Sequence, residues 1–218
     1  MAILPINDID YVLLDLDGTL LDKYFDDHFW LHLVPERYAE LHGLPLDKSK
    51  EHLFKTYKSQ EGTLNWTDLD FWSRELDLDI PVLKEQLVHL IDVHPHVEDF
   101  LRQMRSMGKP IHLVTNAHHK SIQIKFRKTG IGEYFQSVLT SNELGFPKED
   151  QGYWIKAHSM IGFDRERTVF VDDTEAVLHS AHRFGIKYPV FKGRSSSREE
   201  VKRSQDFISI TDFNDLMV

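Results

Sequence analysis

Three short β-rich runs constrain this chain more than any other feature. Tyr11-Val12-Leu13-Leu14, Ile111-His112-Leu113-Val114 and Thr168-Val169-Phe170-Val171 are each four residues long and mostly apolar at both odd and even positions. A strand with one face in water alternates apolar and polar residues, so these runs read as buried strands of a parallel sheet. Residues 137–140, 188–191 and 207–210 are weaker candidates. Between the strands the period changes. Val97, Phe100, Leu101, Met104 and Met107 fall on one helical face with Gly108 as the stop, and Val177, Leu178, Ala181 and Phe184 do the same before Gly185. Strand and helix alternate, which predicts an α/β fold with a doubly wound, mostly parallel sheet.

One segment breaks the alternation. From about residue 22 to 92 there is no convincing strand, only amphipathic helical stretches near 29–41, 48–57, 66–76 and 82–91. A strand, helix, strand unit needs roughly 30 residues, whereas Asp15 and Thr115 stand 100 positions apart. The surplus predicts a helical lobe (22–92) inserted after the first strand of a core made of 1–21 and 93–218. Its hinges fall near 21–23 and 92–95. Ser195-Ser196-Ser197 reads as a surface loop.

Composition narrows the function. With 26 Lys and Arg against 35 Asp and Glu, the net charge is -9 and no block of like charge occurs, which argues against a nucleic-acid or anionic-membrane partner. No stretch has the length of a membrane span or the pattern of a signal peptide, so a cytoplasmic protein is expected. The chain has no cysteine, so its chemistry must run on oxygen and nitrogen groups.

The strand ends carry that chemistry. Asp15-Leu16-Asp17-Gly18-Thr19 follows the first run and puts two carboxylates on a turn where open α/β sheets bind ligands. Two acids so spaced can share a divalent cation or divide the work of nucleophile and acid/base. Thr115 and Asn116 end the second run and offer a hydroxyl and backbone N–H groups to phosphate oxygens. Lys148, just before a helix, can neutralise phosphate charge. Asp172-Asp173 ends the third run and suits a hard cation. Singly, each is common: turns favour Asp and Gly, and a paired Asp often caps a helix. Their conjunction in this order is not. No Gly-x-x-x-x-Gly-Lys-Ser/Thr loop is present, which removes a P-loop enzyme.

In these four ordered motifs the chain resembles the haloacid dehalogenase superfamily of phosphohydrolases, and the insertion matches that family's helical cap. Phe25-Asp26, Phe29-Trp30, Leu33-Val34-Pro35, Leu64-Asn65-Trp66, Thr115-Asn116-Ala117-His118 and Pro147-Lys148-Glu149-Asp150 look like the bacterial GMP/IMP nucleotidases within it. The resemblance implies Asp15 as the nucleophile that becomes an aspartyl-phosphate, and Asp17 as the acid/base. It implies Mg²⁺ held by Asp15, the Asp17 carbonyl and Asp172, with Asp173 holding a water ligand or Lys148. Phosphate would be bound by Thr115, Asn116 and Lys148, and the substrate would be a purine nucleoside monophosphate. A phosphatase or phosphomutase for sugar phosphates is the alternative enzyme; a phosphoacceptor or binding module is the alternative outside catalysis.

Thirteen histidines form no metalloenzyme spacing, and His118 alone stands next to a motif. Most lobe aromatics are expected in its core, since a small lobe needs large side chains to bury enough area. Phe25, Asp26, Asn65 and Trp66 are the candidates for a surface that selects the substrate.

Overall fold

The computed structural model describes residues 4–217. The first strand, β1 (Tyr11–Leu14), leads into a helical lobe: α1 (Tyr24–His28), α2 (Val34–His42), α3 (Leu46–Gln60), α4 (Leu69–Leu76) and α5 (Ile80–Glu85). The rest alternates: α6 (Val97–Ser106), β2 (Ile111–Thr115), α7 (His119–Thr129), β3 (Ser137–Thr140), α8 (Ser141–Leu144), α9 (Gln151–Ile161), β4 (Thr168–Asp172), α10 (Glu175–Phe184), β5 (Tyr188–Lys192) and β6 (Ile208–Ile210). The described residues form one parallel sheet in the order β3-β2-β1-β4-β5-β6. Such an order winds outward in both directions from its centre, and the crevice where the direction reverses lies between β1 and β4.

Alternation along β1 divides the sheet's cover. Val12 and Leu14 join Phe100, Leu101, Ile122 and Ile124 on one face, while Leu13 joins Trp154, Phe170, Leu178 and Ala181 on the other. The lobe has a separate apolar cluster in which Phe29, Val34, Leu53 and Trp72 are buried. Phe25 packs instead into the sheet's core.

Local chemistry shifts several helix ends from the sequence expectation. Pro35 has no N–H for a carbonyl one turn back, and the chain widens into a π-helical turn over Phe29–Leu33 just before it. The helix expected from residue 66 begins at Leu69, because the Asp68 carboxylate accepts from the N–H groups of Asp70 and Phe71 at 2.8 and 3.1 Å. The stretch 82–91 is α5 followed by a 3₁₀ turn, Val88–Leu90, where the chain turns toward the sheet. Met107 lies outside α6 and is exposed.

Entry and exit of the lobe run side by side. Leu21 and Val93 form an antiparallel bridge, the Asp22 N–H donates to the Asp92 carbonyl at 3.0 Å, and the His94 N–H donates to the Leu20 carbonyl at 2.9 Å. The serine patch is no surface loop in full. Ser196 is buried, the Ser195 carbonyl accepts from the Lys23 N–H and lies 3.2 Å from His94 Nε2, and the Ser197 N–H donates to Asp22 Oδ1. It clasps the hinge because that backbone would otherwise go without partners.

Candidate active site

Asp15 and Asp172 meet at the reversal of the sheet, since β1 and β4 are neighbours and the Asp15 N–H donates to the Val171 carbonyl at 3.0 Å. Lys148 joins them. Its ammonium donates to Asp15 Oδ1 at 2.5 Å and to Asp172 Oδ2 at 2.6 Å, and all three side chains are nearly fully buried. Burial works to lower the Lys148 pKa, but the two carboxylates outweigh it and hold the ammonium above the ordinary lysine range. Lys148 thus divides its bonds between Asp15 and Asp172, where the sequence expectation allowed it to Asp173.

The loop before α9 is fixed by Asn116. Asn116 Oδ1 accepts from the Lys148 N–H at 2.9 Å, Asn116 Nδ2 donates to Glu149 at 3.1 Å, and Trp154 Nε1 donates to the Lys148 carbonyl at 2.8 Å. The Asn116 side chain is therefore occupied in positioning Lys148, and its carbonyl accepts from the Ser141 hydroxyl at 3.0 Å. Thr115 is buried and its Oγ1 accepts from the Ala117 N–H at 3.1 Å.

Oxygen atoms of Asp15, Asp172 and Asp173 lie within 4.8 Å of one another. Burial pushes the Asp172 carboxyl up to about 7 against the pull of Lys148. It also raises Asp173, helped by the Asp172 and Asp15 charges. Three crowded carboxylates call for a cation, and hard oxygen donors at this spacing fit a small divalent ion. Gly18 makes room for the cluster: its φ is +85°, and a Cβ there would stand 2.3 Å from Asp173 Oδ2.

Asp17 points into a second set of charges that the sequence did not announce. Lys125 of α7 donates to Asp17 Oδ1 at 2.6 Å and to Asp26 Oδ2 at 2.6 Å, and Lys84 of α5 donates to Asp26 Oδ1 at 2.6 Å. Both lysines are about 1% exposed. Burial lifts the Asp17 carboxyl to about 6, with Lys125 pulling the other way. Burial acts upward on Asp26 too, but two lysines overcome it and hold Asp26 well below the usual carboxylate range. No spacing rule marks a single lysine inside an amphipathic helix, so these partners were out of reach of motif reading.

A cavity of about 420 Å³ opens beside this set, between lobe and sheet, with Asp17, Trp30, Tyr57, Trp66, Lys84 and His118 among its walls. Of the four residues expected to face a substrate, Asp26 and Trp66 line it. Phe25 does not, because the neighbouring position on α1 turns about 100° away and is buried in the sheet's core. Asn65 lies off the wall and donates to Gln60 Oε1 at 3.0 Å. His118 bridges lobe and sheet: its Nδ1 accepts from the Lys120 N–H, and its Nε2 faces Asp68 at 3.6 Å and Asp70 at 3.9 Å. Lys120 also pairs with Asp70.

Residues 9–185 match the description of the haloacid dehalogenase-like hydrolases. The chain is 36% identical over 210 residues to the GMP/IMP nucleotidase YrfG of Escherichia coli strain K12, covering 96% of this chain and 95% of that one. It is 25% identical over 183 residues to a phosphoglycolate phosphatase of Pseudomonas putida, covering 81% of this chain and 66% of that protein. A HAD phosphatase from Thermococcus onnurineus has the same fold, with a TM-score of 0.82 and 22% identity over 95% of this chain and 96% of that chain. No helix among the described residues is long and apolar enough to cross a membrane.

Proposed function

Because the chain belongs to the haloacid dehalogenase-like hydrolases and is a phosphomonoester hydrolase of that family, we propose that it is a Mg²⁺-dependent 5′-nucleotidase for purine monophosphates. The observation that carries the chemistry is the buried triangle of Asp15, Lys148 and Asp172 at the sheet's reversal point. The substrate class is supported by the similarity to a GMP/IMP nucleotidase across nearly the whole chain and by an aromatic-walled cavity that begins at Asp17.

In this reading an Asp15 carboxylate oxygen attacks phosphorus, the phosphorus–oxygen bond to the nucleoside breaks, and Asp17 gives its proton to the departing 5′ oxygen. Asp17 then takes a proton from water as that water attacks the aspartyl-phosphate. The bond to Asp15 breaks and orthophosphate leaves. A carboxyl held near pH 6 by burial suits both halves of this exchange. Lys148, the Thr115 hydroxyl and the Asn116 backbone N–H spread the charge of the equatorial oxygens, the main demand of phosphoryl transfer. Asp15, Asp172 and Asp173, with the Asp17 carbonyl, would hold the Mg²⁺, which lets an anionic nucleophile approach an anionic ester. The helical lobe (22–92) acts as the cap that limits water access.

Phosphate release from nucleoside and sugar monophosphates with Mg²⁺, run beside Asp15→Asn and EDTA controls, tests this directly. IMP and GMP should be turned over, and both controls should abolish it. Turnover confined to sugar phosphates would overturn the substrate class and keep the chemistry.

A further inference from the structure

Lys84 is the most expensive side chain of the lobe to explain by packing. It is 1% exposed and lines the cavity, and a methionine there would bury no charge. An ammonium has three N–H donors and no acceptor. One donor goes to Asp26 Oδ1, the hydrogen-bonding side chain that meets it among the described residues. Otherwise the nitrogen faces the rings of Phe29 at 4.5 Å, Phe25 at 4.8 Å and Trp30 at 5.8 Å. Ring faces attract a cation but supply no hydrogen-bond acceptor of carbonyl quality. A buried donor aimed into a cavity and short of acceptors is completed by a ligand that brings one.

Position says which part of a ligand that is. Three contacts of 2.6 Å in series, through Lys125 and the Asp26 carboxylate, keep the Lys84 nitrogen within about 10 Å of the Asp17 carboxylate. Asp17 belongs at the 5′ oxygen in the nucleotidase reading, so Lys84 lies within reach of the base of a nucleotide held in this cavity. Trp30 and Trp66 line the same cavity, and Trp66, 42% exposed, presents a ring that packing leaves free.

We infer that Lys84 is a specificity-determining residue that donates to the O6/N7 edge of a 6-oxopurine. Inosine and guanosine share that edge, with two acceptors side by side. Adenosine replaces one of them with an amine, a donor that meets the ammonium as like meets like. This inference rests on the nucleotidase reading above. It predicts a pocket that accepts purines with and without a 2-amino group and rejects a 6-amino group. Burial lowers the Lys84 pKa, and an oxygen acceptor delivered by substrate offsets that desolvation. Asp26 then acts as the positioning residue that holds the ammonium against the aromatic floor.

The test compares kcat and KM of the full-length protein on IMP, AMP and purine riboside 5′-monophosphate, which lacks the 6-oxo group. The wild type should favour IMP over the other two by at least tenfold in kcat/KM, since a site built around a hydrogen bond rejects the analogue that lacks it. Lys84→Met should shrink that ratio at least tenfold, chiefly through a higher KM for IMP, and Lys84→Arg should retain most of it. In a cycle of variant against substrate, Lys84→Met should add little loss on purine riboside monophosphate. Nucleotides hydrolysed without regard to position 6, or an equal loss on all three in Lys84→Met, would overturn this inference alone. No turnover of any nucleotide would overturn the nucleotidase reading and this inference together. Should Lys84→Met fail to fold, a wild type that hydrolyses IMP and purine riboside monophosphate equally well still overturns the inference, and Lys84→Arg carries the test of the residue.

Discussion

Lys125 Nζ lies 2.6 Å from Asp26 Oδ2 and ties a helix packed on the sheet to the first helix of the lobe, 99 positions away in sequence. The same ammonium is 2.6 Å from Asp17, so one lysine serves both the lobe and the acid/base candidate. Removing one member of a buried pair leaves a charge without compensation, which typically costs about 3–5 kcal/mol. Lys125→Met should lose stability of that order in urea unfolding. Lys125→Met with Asp26→Asn should differ from the sum of the two single changes, because each single change already removes the contact they share. Strict additivity would mean the contact carries no coupling.

The carboxylate cluster predicts a cation-dependent stability. Mg²⁺ at about 100 times its dissociation constant should raise the unfolding free energy by about 2.7 kcal/mol. Asp173→Asn should show a smaller rise than the wild type, since it removes one of the three crowded acids. A melting temperature that ignores Mg²⁺ in the wild type would contradict the fit.

His94 predicts a loss of stability in mild acid. Burial lowers its pKa to about 4 from an unfolded value near 6.5, with the nearby Lys192 charge adding to the effect. Between those values the unfolded chain binds the extra proton, so stability falls as pH drops from about 6.5 to about 4 and this contribution levels off below. The full penalty is about 3 kcal/mol. His94→Gln should flatten that part of the curve in denaturant titrations at pH 7, 5.5 and 4.5, and an unchanged slope would locate the acid sensitivity elsewhere.

Two tryptophans of the cavity should separate packing from binding. Trp72 is 1% exposed within the lobe's core, so Trp72→Ala should cost about 3–5 kcal/mol. Trp66 is 42% exposed, so Trp66→Ala should cost about 0.5 kcal/mol or less and raise KM for a purine substrate. A KM that does not move would take Trp66 out of substrate contact.

The sheet was legible because its strands are covered on both faces and their sequences are nearly unbroken apolar runs. The strand-end residues were legible for the same reason: once Leu14, Val114 and Val171 are fixed, Asp15, Thr115 and Asp172 must emerge at one edge. The Lys125 and Lys84 set was not. Each lysine sits on an amphipathic helix at a position that reads as solvated, and only packing of the lobe against the sheet brings them to Asp26. The burial of Phe25 was hidden for a related reason, since a five-residue helix has too few turns for periodicity to say which neighbour faces the cavity. The serine patch at 195–197 shows the same limit, because its partners lie at Asp22, Lys23 and His94.

The bridge between Leu21 and Val93 gives the lobe a single doorway. Because its two ends meet there, the segment between them can lengthen, shorten or be exchanged for another without changing the spacing of Asp15 and Thr115 on the sheet. A graft cut at these two positions would have to bring a lobe whose own residues replace Phe25 in the sheet's core and Asp26 at Lys125.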